Sequence, residues 1–140
     1  LFQNKLVKKQ YHAIAGYRED LKLPLTHQSR LQESEHFMRM QETSGIVNSE
    51  TQIELMAQSG NLAKYLLTPL TGKKHQLRVH MMSLGIPIVN DQIYPEYIAT
   101  ENESFEKPLQ LLAKQIEFTD PISGQQRVFQ SSKELVLIRQ

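Results

Sequence analysis

The sequence predicts an α+β fold, a mixed, mainly antiparallel sheet with packed helices. Three observations predict it. Several segments alternate apolar and polar residues with period two. Two of these segments are joined by Ser59-Gly60, a hairpin signal. One segment, beginning after Thr71-Gly72, repeats its apolar residues at helical spacing instead.

The elements follow in order. Lys9 to Tyr17 alternates as a strand, with Tyr11, Ala13 and Ala15 on one face and His12 and Ile14 on the other. Residues 19–45 are polar, contain Pro24 and show no sustained period. They read as a long irregular excursion with some short strand or helix character. Thr51 to Gln58 and Asn61 to Pro69 form the clearest pair, a hairpin around Ser59-Gly60. A helix fits from about Lys73 to Leu84. Leu77, Met81 and Leu84 are spaced i, i+4, i+7 as its buried stripe, and Lys74, Arg78 and Met82 form the adjacent row. Gly85 stops the helix and Pro87 follows, as is common past a helix end. Residues 95–108 are acidic and loop-like. Leu109 to Phe118 reads as another strand, Thr119 to Gly124 as a turn, Arg127 to Gln130 as its hairpin partner and Glu134 to Ile138 as a short last element.

Composition narrows the chemistry. The chain has 140 residues, 39% of them hydrophobic, so it is one domain or a large piece of one. It has no cysteine, which excludes disulfides, thiol nucleophiles and cysteine zinc sites within it, and this agrees with a cytoplasmic setting. No apolar run approaches the roughly 20 residues that span a bilayer, and no signal-peptide pattern is visible. The expected setting is therefore cytoplasmic and the expected state a monomer.

The net charge is only +1, but its distribution is uneven. From Leu55 to Asn90 there is no acidic residue, so nothing in that stretch of sequence neutralises Lys64, Lys73, Lys74 and Arg78. A basic helix N-terminus after Thr71-Gly72 offers free backbone N–H groups and attracts anions. The alternative is a solvated basic face without a ligand. The missing acidic residues favour phosphate contact, with RNA the leading partner.

Other chemistry is weaker. Gly72-Lys73-Lys74 resembles the end of a phosphate-binding loop, but Leu67 stands where its first glycine belongs and Lys74 where its Ser or Thr belongs. His75 and His80 are five apart, on different faces of a helix, unlike an i, i+4 zinc pair, so no metal is expected. Each is either a hydrogen-bonded structural residue or a contact to RNA or substrate. Tyr11 is either a buried aromatic or, beside Lys8 and Lys9, a platform for a base. Asp91 reads as a turn or capping residue. There is no Gly-x-Ser-x-Gly and no paired carboxylate.

Taken in order, Lys9-Gln10-Tyr11-His12-Ala13, Thr71-Gly72-Lys73-Lys74-His75-Gln76-Leu77-Arg78-Val79-His80, Gly85-Ile86-Pro87-Ile88 and Asp91-Gln92-Ile93-Tyr94 resemble pseudouridine synthases of the RluA family. Leu112-Ala113 and Phe118-Thr119-Asp120-Pro121 resemble that family's closing strand and hairpin. The resemblance implies the pseudouridine synthase catalytic fold, an isomerase converting uridine to pseudouridine in rRNA or tRNA, RNA as partner and no cofactor. The family flips its target base into a pocket, in keeping with base-modifying enzymes generally.

By position, the resemblance makes Tyr11 and Arg78 the catalytic residues. Tyr11 would stack on the flipped uracil and could assist proton removal. Arg78 would pair with the family's catalytic aspartate and hold it ionised. Lys9, Thr71, Lys73, Lys74, His75, Gln76 and His80 would contact RNA or substrate. Asp91 would be structural, bonding a turn. Lys73 stands where the family more often has Arg, and Asn90 where it has Gly. The family's aspartate lies in an Arg-Leu-Asp string ahead of the Lys-x-Tyr, and this chain contains no such string. The expectation is that residues 1–140 are the C-terminal portion of one catalytic domain, incomplete at its N-terminus and inactive alone. A non-catalytic RNA-binding module on the same scaffold is the alternative.

Overall fold

The computed structural model describes residues 7–35, 39–94, 108–120 and 122–137. Seven strands and one helix follow in the order β1 (Val7–Gly16), β2 (Leu25–Glu33), β3 (Met40–Thr43), β4 (Ser49–Ser59), β5 (Leu62–Pro69), α1 (Gln76–Ser83), β6 (Leu111–Thr119) and β7 (Gln126–Gln130). They form one sheet in the order β3-β2-β4-β5-β1-β6-β7, and every pairing is antiparallel.

The β4–β5 hairpin turns at Gly60, whose φ of 61° suits a residue without a Cβ. Its alternation places Ile53, Ala63, Tyr65 and Leu67 on the inner face with Ala13 and Ala15 of β1. Leu77 and Met81 of α1, with Ile86 and Ile88 beyond it, cover that face. Tyr65 is fully buried, and its hydroxyl donates to the Gly16 carbonyl at 2.7 Å, which satisfies the one polar atom a buried tyrosine carries.

The opposite face of β1 is also covered: His12 and Ile14 are buried. Lys64 of β5 and Lys114 of β6 reach across that face to Glu134 at 3.3 and 2.8 Å. Lys64 and Lys114 also donate to the Leu135 and Lys133 carbonyls, at 3.0 and 2.7 Å. These bonds tie residues 133–135 to the sheet.

Several sequence expectations need correction. Packed helices are not found: among the described residues there is one short helix, on a mostly antiparallel sheet. That helix begins at Gln76 rather than Lys73, because His75 adopts a left-handed conformation (φ 55°) that interrupts the helical path ahead of it. Residues 19–45 are not irregular, since they hold the nine-residue β2 and the edge strand β3. Their alternation is masked because the inward positions His27 and Ser29 are polar, and each has a hydrogen-bond partner inside the fold. Residues 134–137 form no strand or helix. Ile138, most of the acidic loop at 95–108 and Pro121 of the predicted turn lie outside the described residues.

α1 has two buried sides rather than the single predicted stripe. Gln76, Val79 and His80 are buried as well as Leu77 and Met81. The second side meets the β2–β3 corner, where Leu31, Met40, Val79 and Tyr94 make a small separate core. The helix is therefore held between the main sheet and that corner.

Candidate RNA-binding cleft

Two sequence segments sixty residues apart converge on one cleft of 390 Å³. β1 contributes Lys9 and Tyr11. The loop from Pro69 into α1 contributes Thr71, Lys73, His75, Gln76 and Arg78, and Leu109 and Leu111 close the apolar side. The β1–β6 register shifts between Gln10 and Tyr11, immediately beside the tyrosine. Such an irregularity re-aims side chains at the edge of a site.

Gln76 organises the loop. Its Oε1 accepts from the Thr71 hydroxyl at 2.6 Å and from the Lys73 N–H at 3.1 Å. Its Nε2 donates to the Glu50 carbonyl at 2.9 Å and to Thr51 Oγ1 at 2.8 Å. Thr71 Oγ1 in turn accepts from the Glu50 N–H at 3.0 Å. One buried amide thus ties the basic loop to β4, and the loop needs no regular structure of its own.

Arg78 projects from the first turn of α1 into the cleft wall. Its Nε and Nη2 donate to Asp91 Oδ2 and Oδ1 at 3.0 and 2.6 Å. Asp91 Oδ1 also accepts from the Ile93 and Tyr94 N–H groups, at 2.9 and 3.0 Å, which makes it the turn residue expected from the sequence. The Arg78 guanidinium lies 5.5 Å from the Tyr94 ring centre, and that of Arg39 lies 5.2 Å from it.

His75 lines the same cleft. The Tyr94 hydroxyl accepts from the Met40 N–H at 2.7 Å, so its own proton is free to go to His75 Nδ1, 2.9 Å away. Burial, helped by Arg78 and Lys74, holds the His75 imidazole below its ordinary pKa. A neutral ring that accepts this proton at Nδ1 carries its own on Nε2.

The remaining predicted residues divide. Lys74 is exposed next to the cleft but not in its wall. His80, expected among the RNA contacts, is fully buried and lies behind the cleft. Its Nδ1 is 2.9 Å from Thr51 Oγ1, and its Nε2 is 3.0 Å from both Ser29 Oγ and Ser49 Oγ. Burial lowers its pKa to about 4, so it offers RNA neither a surface nor a charge. Of the two readings open for His80, the hydrogen-bonded structural one describes where it sits. The partners His80 takes from β2 and β4 leave no signal in the sequence, because nothing in spacing along the chain links Ser29, Ser49 and Thr51 to it.

The family model described as RNA pseudouridylate synthase matches residues 1–83. Among curated relatives, the dual-specificity RNA pseudouridine synthase RluA of Salmonella typhi is 44% identical over 69 residues, covering 49% of this chain and 30% of that protein. The protein of the same name from Escherichia coli K12 is 34% identical over 84 residues, covering 59% and 37%. The RNA pseudouridylate synthase domain-containing protein 1 of Bos taurus is 32% identical over 115 residues, covering 74% and 37%. The solved structure of human RNA pseudouridylate synthase domain containing 1 superposes with a TM-score of 0.74 at 26% identity, covering 94% of this chain and 57% of that one. The chain spans 30% to 37% of the length of these curated relatives.

Proposed function

This chain belongs to the RNA pseudouridylate synthase family, and from that membership we propose that its cleft is the base-binding part of a site converting uridine to pseudouridine in rRNA or tRNA. The observation that carries the proposal is the convergence of Tyr11 and Arg78 on one cleft bordered by Lys9, Lys73 and His75. An aromatic ring and several cations around a pocket of base-sized volume suit an extruded nucleotide, with the ring for the base and the cations for its phosphates.

Isomerisation moves ribose C1′ from N1 to C5 of the same uracil, and the C5 proton leaves as N1 gains one. Nothing is oxidised or reduced, so no co-reactant is required. The reaction asks for a held base, a carboxylate at the sugar and a place for the C5 proton. Tyr11 supplies the stacking surface, and its hydroxyl is the group in the cleft wall suited to the proton. Arg78 supplies the cation that keeps a neighbouring carboxylate ionised. The carboxylate is the part that we assign to residues preceding Leu1, because the chain holds no Arg-Leu-Asp string. On this reading, residues 1–140 are the C-terminal portion of one catalytic domain.

One observation favours the alternative, an RNA-binding module without catalysis. Arg78 already has a two-point carboxylate partner in Asp91. The test is pseudouridine formation in bulk cellular RNA, by nucleoside mass spectrometry, for the full-length gene product and the 140-residue chain side by side. Product from the former alone is the expected result. No product from either, with RNA binding retained, would leave the binding module.

A further inference from the structure

Behind the cleft, three chain segments bring two imidazoles and a carboxylate together. His27 comes from β2, Glu42 from β3 and His80 from α1. Their ligand atoms all lie within 4.8 Å of one another. Glu42 Oε2 is 2.6 Å from His27 Nε2 and 4.0 Å from His80 Nε2. The two rings meet edge to face with centres 4.6 Å apart, so both Nε2 atoms address the same carboxylate.

We propose that His27 Nε2, Glu42 Oε2 and His80 Nε2 bind one zinc ion, with water as the fourth ligand. The inference does not depend on the RNA reading. Two imidazoles and one carboxylate are a donor set that zinc takes readily, whereas calcium and magnesium prefer oxygen throughout. Zinc bonds of about 2.0–2.1 Å place tetrahedral ligand atoms roughly 3.4 Å apart. The separations here straddle that value, so small side-chain rotations suffice. Glu42 is the ligand best able to move, with a side chain 27% exposed.

The surroundings fit as well. His80 Nδ1 is 2.9 Å from Thr51 Oγ1. In the metal-bound state that nitrogen carries the proton and donates to Thr51, which fixes the ring as outer-shell acceptors do for zinc-bound histidines. A cavity of 300 Å³ borders Glu42, with Arg39, Met82 and Ser83 among its other lining residues, so the carboxylate side of the cluster faces open space; neither histidine lines it. Without metal, Glu42 takes a hydrogen bond from His27, and the Ser29 and Ser49 hydroxyls flank His80 Nε2 at 3.0 Å. The ion would pin the four-residue edge strand β3 and its neighbour β2 to α1. That corner is already held by the β2–β4 ladder, by the bond from the Met40 N–H to the Tyr94 hydroxyl and by the small core of Leu31, Met40, Val79 and Tyr94, and the ion would add to these.

The test uses the chain stripped with a chelator and titrated with zinc against a chromophoric competitor, with cobalt(II) as a spectroscopic probe. One equivalent of zinc is expected, together with a raised Tm and a tetrahedral cobalt band in the visible. His27→Gln and Glu42→Gln, both at partly exposed positions, should each weaken binding by more than about 100-fold, beyond the loss from an outer-shell change. Circular dichroism of the variants verifies their fold. No stoichiometric zinc in the folded wild-type chain would overturn the proposal. Binding undiminished in both folded variants would overturn it too, by placing the ion elsewhere.

Discussion

Asp91 is held against Arg78 by two hydrogen bonds, and its side chain is only 1% exposed. The same carboxylate caps the turn at Ile93 and Tyr94. It therefore has two separable tasks, to neutralise a cation in the cleft wall and to shape the segment that brings Tyr94 under α1.

Asp91→Ala removes both tasks and leaves Arg78 partly buried without its carboxylate. A loss of about 3–5 kcal/mol is expected in urea unfolding. Asp91→Asn keeps an acceptor for the two turn N–H groups and should cost measurably less. Equal losses would show that the turn bonds add nothing.

Tyr11→Phe keeps the ring and removes the hydroxyl. If the ring's task is stacking alone, turnover of the full-length gene product is retained, whereas Tyr11→Ala weakens RNA binding by about 1–3 kcal/mol. Turnover lost in Tyr11→Phe with binding unchanged would assign the chemistry to the hydroxyl. Single-turnover and binding assays on the same RNA distinguish these results.

Lys73 and Lys74 are both exposed beside the cleft. Each phosphate contact contributes about 0.9 to the slope of log K against log salt for duplex and about 0.7 for single strands. Lys73→Ala with Lys74→Ala should therefore flatten that slope by about 1.4–1.8. An unchanged slope would take both lysines off the RNA path.

His80 makes stability depend on pH. Its pKa falls from 6.5 in the unfolded chain to about 4 in the fold. Above pH 6.5 the ring is neutral in both states and its contribution is complete. As pH falls from 6.5 towards 4, the unfolded chain takes up the proton first, and stability declines. Between pH 7.5 and 5 the expected loss is about 2 kcal/mol, measured with chelator present. His12 and His75 are shifted in the same direction, each chiefly by burial, and add to the slope. A flat profile across that interval would mean that His80 is protonated in the fold without cost.

Alternation and turn chemistry carried much of the fold in the sequence. The strand read from Lys9 to Tyr17 is β1 at Val7–Gly16, and the hairpin about Ser59-Gly60 is β4–β5. The strands read at Leu109–Phe118 and Arg127–Gln130 are β6 and β7. These elements announce themselves because their inward residues are apolar or their turns need glycine. β2 was not legible, because the inward positions between Leu25 and Leu31 are a histidine and a serine whose partners lie on other elements. The helix start was missed for a related reason. Lys73 and Lys74 are good helix formers, but His75 turns left-handed and Gln76 bonds back to the loop, which local propensity does not register.

By itself the sequence determined the basic character of residues 55–90, the aromatic at Tyr11 and the motif order that marks the family. These are properties of side chains and local spacing, which survive without a fold. Only the tertiary structure decided which of those side chains share a space. It set Tyr11 and Arg78 on one cleft, gave Arg78 to Asp91 and turned His80 away from the cleft, towards Ser29, Ser49 and Thr51. A buried polar group must find partners or bear the cost of desolvation, and those partners are fixed by strand order and register rather than by distance along the chain.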